Sequence, residues 1–487
     1  MELGQTIKTY NDKIEPHDKG QGYELKEFED YVYLEQYVKN TTEILNRLIN
    51  IANSGNDGQA EVNQMFVSQL DAQNIDNTKI KALKSAFIES KVMLIYGAAG
   101  TGKTTLMDYI STMMEGCSKL FLTKTHTALE NMKRRIKSPG HLHEFMGIDS
   151  FVKSYVALDY DVIFVDECST IDNRTMVKLL EKVGKDSLLV LAGDIYQIES
   201  IDFGNWFFYA KEILPGKAII ELDNTWRTNE TTLKELWEEV RFLRPNITEK
   251  LVIDGPFSED IGKDIVAERN KDEVVLCLNY DGKFGLNSIN SYFQDANPSQ
   301  KTYYWSEWKY KIGDRILFNE NKRFPMLYNN LKGVIADIQS ELNSIRFIID
   351  IPIILTAVKV RGTDLEIISH EGNSTRIGFS VYANDDNEID EEYEVSRMKS
   401  IIPFQLAYAV SIHKAQGLEY DSVKIVIPQS NSEKITHGIF YTAITRTKKK
   451  LKIYWNAETM TDIIAGFNEE KKSRVSLDII KGLISNN

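Results

Sequence analysis

Little in this sequence points to a covalent staple or a membrane. Its three cysteines, Cys117, Cys168 and Cys277, stand far apart with no CxxC pair. Neither a disulfide framework nor a thiolate zinc cluster is indicated, and a reducing compartment fits. No run of eighteen apolar residues occurs, and the opening MELGQTIKTYNDK lacks both the basic patch and the apolar core of a secretion signal. A cytoplasmic location without membrane contact is therefore expected. Internal repeats and long low-complexity tracts are also missing. The neighbouring pair His141 and His143 is given no metal role.

What is present is ordinary for a globular protein: 487 residues, 42% hydrophobic and 26% charged, enough for two to four domains. The net charge of −13 is unevenly placed. Residues 1–77 hold 14 acids against 6 bases, and NDDNEIDEEYE (384–394) holds seven acids and no base. Outside those two stretches the chain carries about +2, so a local basic groove is compatible with the composition.

Buried-type apolar runs KVMLIYG (91–97), KLFLTKT (119–125), DVIFVDE (161–167) and LLVLAGD (188–194) alternate with helical patterns. That is a βαβ series and a parallel sheet. A sparser second series comprises AIIEL near 220, VVLCLN (274–279), VKIVIP (423–428) and LKIYW (451–455). It is split at roughly 300–400 by short strands with turn residues between them, which read as a small β-barrel. Residues 1–77 carry helix-period patterns such as LEQYVKNTTEILNRLINIANS and read as an accessory helical segment.

GAAGTGKTT, from Gly97 to Thr105, follows a strand and precedes a helix, the setting a phosphate loop needs. Backbone N–H groups of Gly97, Gly100, Thr101, Gly102 and Thr105 would close around phosphate. Lys103 would neutralise its oxygens, and Thr104 can ligate Mg²⁺. VIFVDECS ends a strand with Asp166 and Glu167, where parallel sheets bind ligands. Asp166 can hold Mg²⁺ through water, and Glu167 can polarise the attacking water. Taken alone, the pair could be a solvated strand end. LAGDIYQIES similarly offers Asp194 and Gln197, whose amide could sense a γ-phosphate or merely finish a turn.

With TKTHTALENMKRR, LDNTWRTNE, AVSIHKAQGLEYDSV and FYTAITRTKKKLKIY added in order, the chain resembles a superfamily 1 helicase of the RecD-like and Dda-like group over about residues 78–460. The resemblance implies an α/β protein with two RecA-like parallel-sheet domains, an SH3-like β-barrel insertion and an N-terminal helical segment. Boundaries follow as 1–77 accessory, 78–222 first ATPase domain, 223–300 and 401–487 second domain, and 301–400 insertion. It implies that Lys103, Thr104, Asp166, Glu167 and Gln197 bind and hydrolyse ATP, with Glu419 facing the nucleotide. Arg227 and Arg446 would reach from the other domain to the γ-phosphate. Ser411 and His413, with Thr125 and His126, would touch single-stranded DNA, while Gln416 and Gly417 shape the turn. Weaker strand-contact candidates are Lys133, Arg134 and Arg135, Asn329, Asn330 and Lys332, and Phe203 and Trp206 as stacking rings or helix core. Movement would be 5′ to 3′, and residues 1–77 offer a surface for a protein partner.

Two departures stand out. Lys79 occupies the position where relatives place an adenine-reading glutamine, and about fifteen residues separate GIDSF from the DE motif. No room remains there for a strand-separating hairpin, so a weak unwinder is expected. Ile148, Asp149 and Ser150 replace the usual pattern. An RNA motor, a nucleic-acid-triggered ATPase and a small-molecule phosphotransferase stay open as alternatives.

Overall fold

The structure is a computed structural model. It describes residues 3–54 except 20–21 and 29–30, residue 83, and 87–485 except 138–139, 141, 155–158, 201, 224, 226, 254–256, 259–264, 266–271, 279–281, 283, 321, 384–398, 430–434 and 470–473. Lys79 and the acidic 384–394 stretch lie outside the described residues. The chain divides into two compact units. One comprises residues 1–229, 437–441 and 466–487; the other, residues 230–436 and 442–465.

In the first unit six parallel strands lie side by side in the order His143–Gly147, Lys119–Thr123, Val162–Asp166, Leu188–Gly193, Val92–Gly97 and Ile219–Leu222. Strands buried on both faces read as continuous apolar runs rather than alternations, and the central ones are buried throughout. AIIEL, expected in the second series, is instead the edge strand of this first sheet, with Ile220 opposite Ile95. A four-residue apolar run does not state its partner, and pairing is decided by the fold.

Residues 3–53 also depart from a purely helical segment. Leu25–Phe28 and Tyr31–Leu34 pair as an antiparallel hairpin. The following helix, Glu35–Asn53, is no appendage, because Ile44, Leu45, Leu48 and Ala52 lie fully buried in one cluster with Val92, Leu94 and Leu120 of the sheet. That spacing is a helical face. Burial of each of the three larger side chains contributes about 1.5–3 kcal/mol.

The second unit holds five parallel strands in the order Ala409–Ser411, Glu273–Cys277, Tyr420–Val426, Thr447–Tyr454 and Phe257–Ser258. It also holds a six-stranded antiparallel sheet running Glu366–Glu371, Ser374–Tyr382, Ser344–Ile351, Lys332–Ser340, Arg315–Phe318 and Phe404–Leu406. Ile345, Phe347, Ile349 and Ile351 alternate into its core, the period of two that a one-sided strand requires. Among the described residues no helix is long and apolar enough to cross a membrane.

Candidate functional site

Three neighbouring strands of the first sheet deliver the site. Val92–Gly97 leads into the phosphate loop, Leu188–Gly193 into Asp194 and Gln197, and Val162–Asp166 into the acidic pair. Their carboxyl ends point the same way because the strands are parallel, so residues far apart in sequence meet at one edge.

The loop turns through Gly100 and Gly102, at φ +78° and +90°, and the helix Lys103–Met113 begins directly after. Lys103 Nζ donates to the carbonyls of Gly97 (2.8 Å) and Ala98 (2.9 Å). Buried Thr101 donates its hydroxyl to Ala98 O at 2.9 Å. Thr104 Oγ1 donates to Asp166 Oδ2 at 3.1 Å. These two oxygen donors suit a hard divalent cation. The other oxygen of Asp166 accepts from the Glu167 amide at 2.9 Å. Glu167 sits in the left-handed region at φ 56°, a conformation that non-glycine residues adopt at some energetic expense, often at functional positions. Asp194 is buried. Its carboxylate accepts from the Tyr196 amide (3.0 Å) and the Gln197 side chain (3.2 Å), orienting that amide.

Arg227 departs from expectation. It belongs to the same compact unit as the phosphate loop, not to the other one. Its backbone lies so close to Gly100 that a Cβ there would stand 2.3 Å from Arg227 Cβ. Thr225 Oγ1 donates to Ala99 O at 2.9 Å and fastens the same contact. The sequence carries no local signal for this approach beyond the glycine itself.

Arg446 is buried in the second unit. Its guanidinium donates to Thr442 O (3.0 Å) and Leu418 O (3.4 Å), and its own carbonyl accepts from the Tyr420 amide at 2.9 Å. The segments SIHKAQGLEYDSV and AITRT are thereby tied together, and Glu419 pairs with Lys448 at 3.7 Å. Ser411 is buried, and its hydroxyl accepts from the Lys414 amide at 3.3 Å. His413 keeps solvent contact, but the protein around its ring desolvates it and lowers its pKa below 6.5.

Thr125 caps the helix His126–Arg135, accepting from the Ala128 amide at 3.2 Å, and His126 is exposed at the first turn. Lys133, Arg134 and Arg135 are solvated at the end of that helix, with Lys133 paired to Glu130 at 2.7 Å. Trp206 is core, its indole donating to Ile171 O at 2.8 Å, whereas half-exposed Phe203 stacks on Tyr37 at 3.9 Å. Lys332 turns towards Tyr420, its Nζ 3.8 Å from the ring centre, and lies 3.4 Å from Asp272. Asn330 adopts φ +67°.

A glycine-rich loop with its lysine, a hydroxyl joined to a strand-end carboxylate, and an adjacent glutamate together define a nucleoside-triphosphatase of the phosphate-loop class. Comparison with known proteins narrows this. An AAA domain matches residues 77–249, and a UvrD-like helicase C-terminal domain matches 406–454. The RecBCD enzyme subunit RecD of Buchnera aphidicola subsp. Acyrthosiphon pisum is 20% identical over 87% of this chain and 79% of its own length. RecD of Mycolicibacterium smegmatis is 22% identical over 89% and 80%. Among solved structures, a Bacteroides Pif1 helicase in complex with ADP-AlF3 and ssDNA aligns with TM-score 0.48 at 15% identity, over 83% of this chain and 98% of that one. The chain is thus similar, over most of its length, to the RecD-like helicases of superfamily 1.

Proposed function

We propose that this protein is an ATP-dependent DNA helicase or translocase that moves 5′ to 3′ on single-stranded DNA in the cytoplasm. The observation that carries the reading is the direct bond between Thr104 and Asp166 beside Glu167, in a chain that also bears the helicase C-terminal match. Thr104 and Asp166 would hold Mg²⁺, which when bound neutralises phosphate charge. Lys103 binds the phosphates, Glu167 orients and polarises the water, and Gln197 reads the γ-phosphate. Arg227 and Arg446 stabilise charge that develops on the transferred phosphoryl.

Arg446 and Glu419 belong to the second unit. The bond from Arg446 to Leu418 O gives the nucleotide side a physical link to Ser411 and His413, the proposed strand contacts together with Thr125 and His126. We read residues 301–400 as the insertion, of SH3-like type. The short segment between Gly147 and Val162 contains a helix and no strand among its described residues, consistent with weak unwinding by this element.

Direction is tested by displacement of streptavidin from biotin placed at either end of a single strand. Faster ATP-dependent release from the 3′ end supports 5′ to 3′ movement; faster release from the 5′ end reverses it. Equal release without ATP removes the motor.

A further inference from the structure

Residues Thr302–Trp305 and Trp308–Lys311 form a separate two-stranded sheet, with Tyr303 opposite Tyr310, Trp305 opposite Trp308, and Tyr304 opposite Lys309. Cross-strand partners share a face and successive residues alternate. One face therefore carries Tyr303, Tyr310, Trp305 and Trp308; the other carries Tyr304 and Lys309. Tyr303 and Tyr310 are buried in the core of the insertion. Beyond them the apolar surface runs out into solvent. Trp308, beside the Ser306–Glu307 turn, is 54% exposed, and Tyr304 on the opposite face is 70% exposed.

A lone two-stranded hairpin is marginally stable in water, but this one is pinned at its base. Gln294 Nε2 donates to Lys309 O (2.7 Å) and to Asp314 Oδ2 (2.6 Å). Asn297 Nδ2 donates to Asp314 Oδ1 at 2.8 Å, and the Tyr408 hydroxyl donates to the same oxygen at 2.9 Å. Asp314 is fully buried among these donors. The four bonds to Asp314 and Lys309 O hold the base of the hairpin, although Gln294 Oε1 is buried without a partner. The hairpin is also basic in an acidic chain: residues 301–311 contain Lys301, Lys309 and Lys311 against Glu307, with Lys309 paired to Asp295 at 2.6 Å, while the whole carries −13. Exposed rings interleaved with lysines on a rigid support suit bases and phosphates together.

We infer that this hairpin is a nucleic-acid junction element that takes one strand of a fork on each face. Trp308 stacks on the base at the duplex end, and Tyr304 with Lys309 meets the other strand. The inference rests on the proposed action on DNA, and it supplies a strand-separating blade.

The test is equilibrium binding of the full chain to a 5′-tailed fork and to the tail alone as single strand. The wild type is expected to prefer the fork by roughly tenfold, which is about 1.4 kcal/mol. The Tyr304→Ala/Trp308→Ala variant should bring the ratio to about one, leaving single-strand affinity and DNA-stimulated ATP hydrolysis unchanged, while Trp308→Phe keeps most of the preference. Absence of a fork preference in the wild type, or its persistence in the double variant, overturns the inference without touching the motor reading. Failure of the wild type to bind single strands at all overturns both.

Discussion

Replacing Gly100 by alanine probes the closest approach in the ATP site. The new Cβ would stand 2.3 Å from Arg227 Cβ and 3.0 Å from its amide nitrogen. Carbon atoms settle at about 3.5–4.0 Å, so Arg227 must retreat by roughly 1.2–1.7 Å. The bond from Thr225 to Ala99 O spans the same gap, and its loss adds about 1 kcal/mol. Backbone at φ +78° contributes a further 1–2 kcal/mol, roughly, once a Cβ is present. The expected destabilisation is about 2–4 kcal/mol, read as a lower denaturant midpoint of the nucleotide-free protein. With Arg227 in the role proposed for it, its displacement by more than about 1 Å should also lower kcat by roughly 10²-fold. Gly102→Ala is the control: its φ is +90°, yet the nearest atom to the new Cβ is Thr105 Cβ at 4.0 Å. It carries the backbone strain without the collision. If Gly100→Ala is no less stable than Gly102→Ala, the packing of Arg227 on the loop is wrong.

Further outcomes follow from other contacts. Asp172 caps the helix Asn173–Leu180, accepting from the Thr175 amide at 2.8 Å and its hydroxyl at 2.7 Å. Burial raises its pKa, but those bonds and then Lys124 outweigh burial and hold it below 3.8. Asp172→Ala should lower stability by about 1–2 kcal/mol at pH 7. Because the folded pKa is depressed, the difference is full above 3.8 and shrinks as pH falls through the folded value; a difference that grows on acidification would contradict it. Desolvation keeps His413 neutral at pH 7.5, so it would touch DNA as a hydrogen-bonding group. His413→Asn should weaken single-strand binding and leave the salt slope of log K unchanged, whereas loss of one phosphate contact reduces that slope by about 0.7. Arg446→Lys cannot reproduce the planar donor set that reaches Thr442 O and Leu418 O. It is expected to depress DNA-stimulated hydrolysis by at least tenfold, on the order of one lost charged hydrogen bond, with far-ultraviolet circular dichroism unaltered.

Legibility tracked how local each signal was. The phosphate loop and the strands ending in Asp166 and Gly193 were plain, because continuous apolar runs and glycine spacing are short-range patterns. The antiparallel character of the insertion was similarly visible in the alternation of Ile345, Phe347, Ile349 and Ile351. Partner choice was not. Ile219–Leu222 joined the first sheet, and Arg227 packed on Gly100 inside the first unit, because both are decided by contacts more than a hundred residues apart in sequence. The helix Glu35–Asn53 showed its apolar stripe in the sequence, but the stripe names no partner; that its partner is the ATPase sheet emerges only from packing. Thr125 illustrates a different limit, since a hydroxyl that caps a helix and one that contacts a strand look identical in sequence.

The most direct measurement is steady-state ATP hydrolysis without nucleic acid, with single-stranded DNA and with single-stranded RNA, beside the Lys103→Ala and Glu167→Gln variants. Strong stimulation by single-stranded DNA, abolished in both variants, is expected. Hydrolysis indifferent to either polymer, or undiminished in Glu167→Gln, would contradict the motor reading.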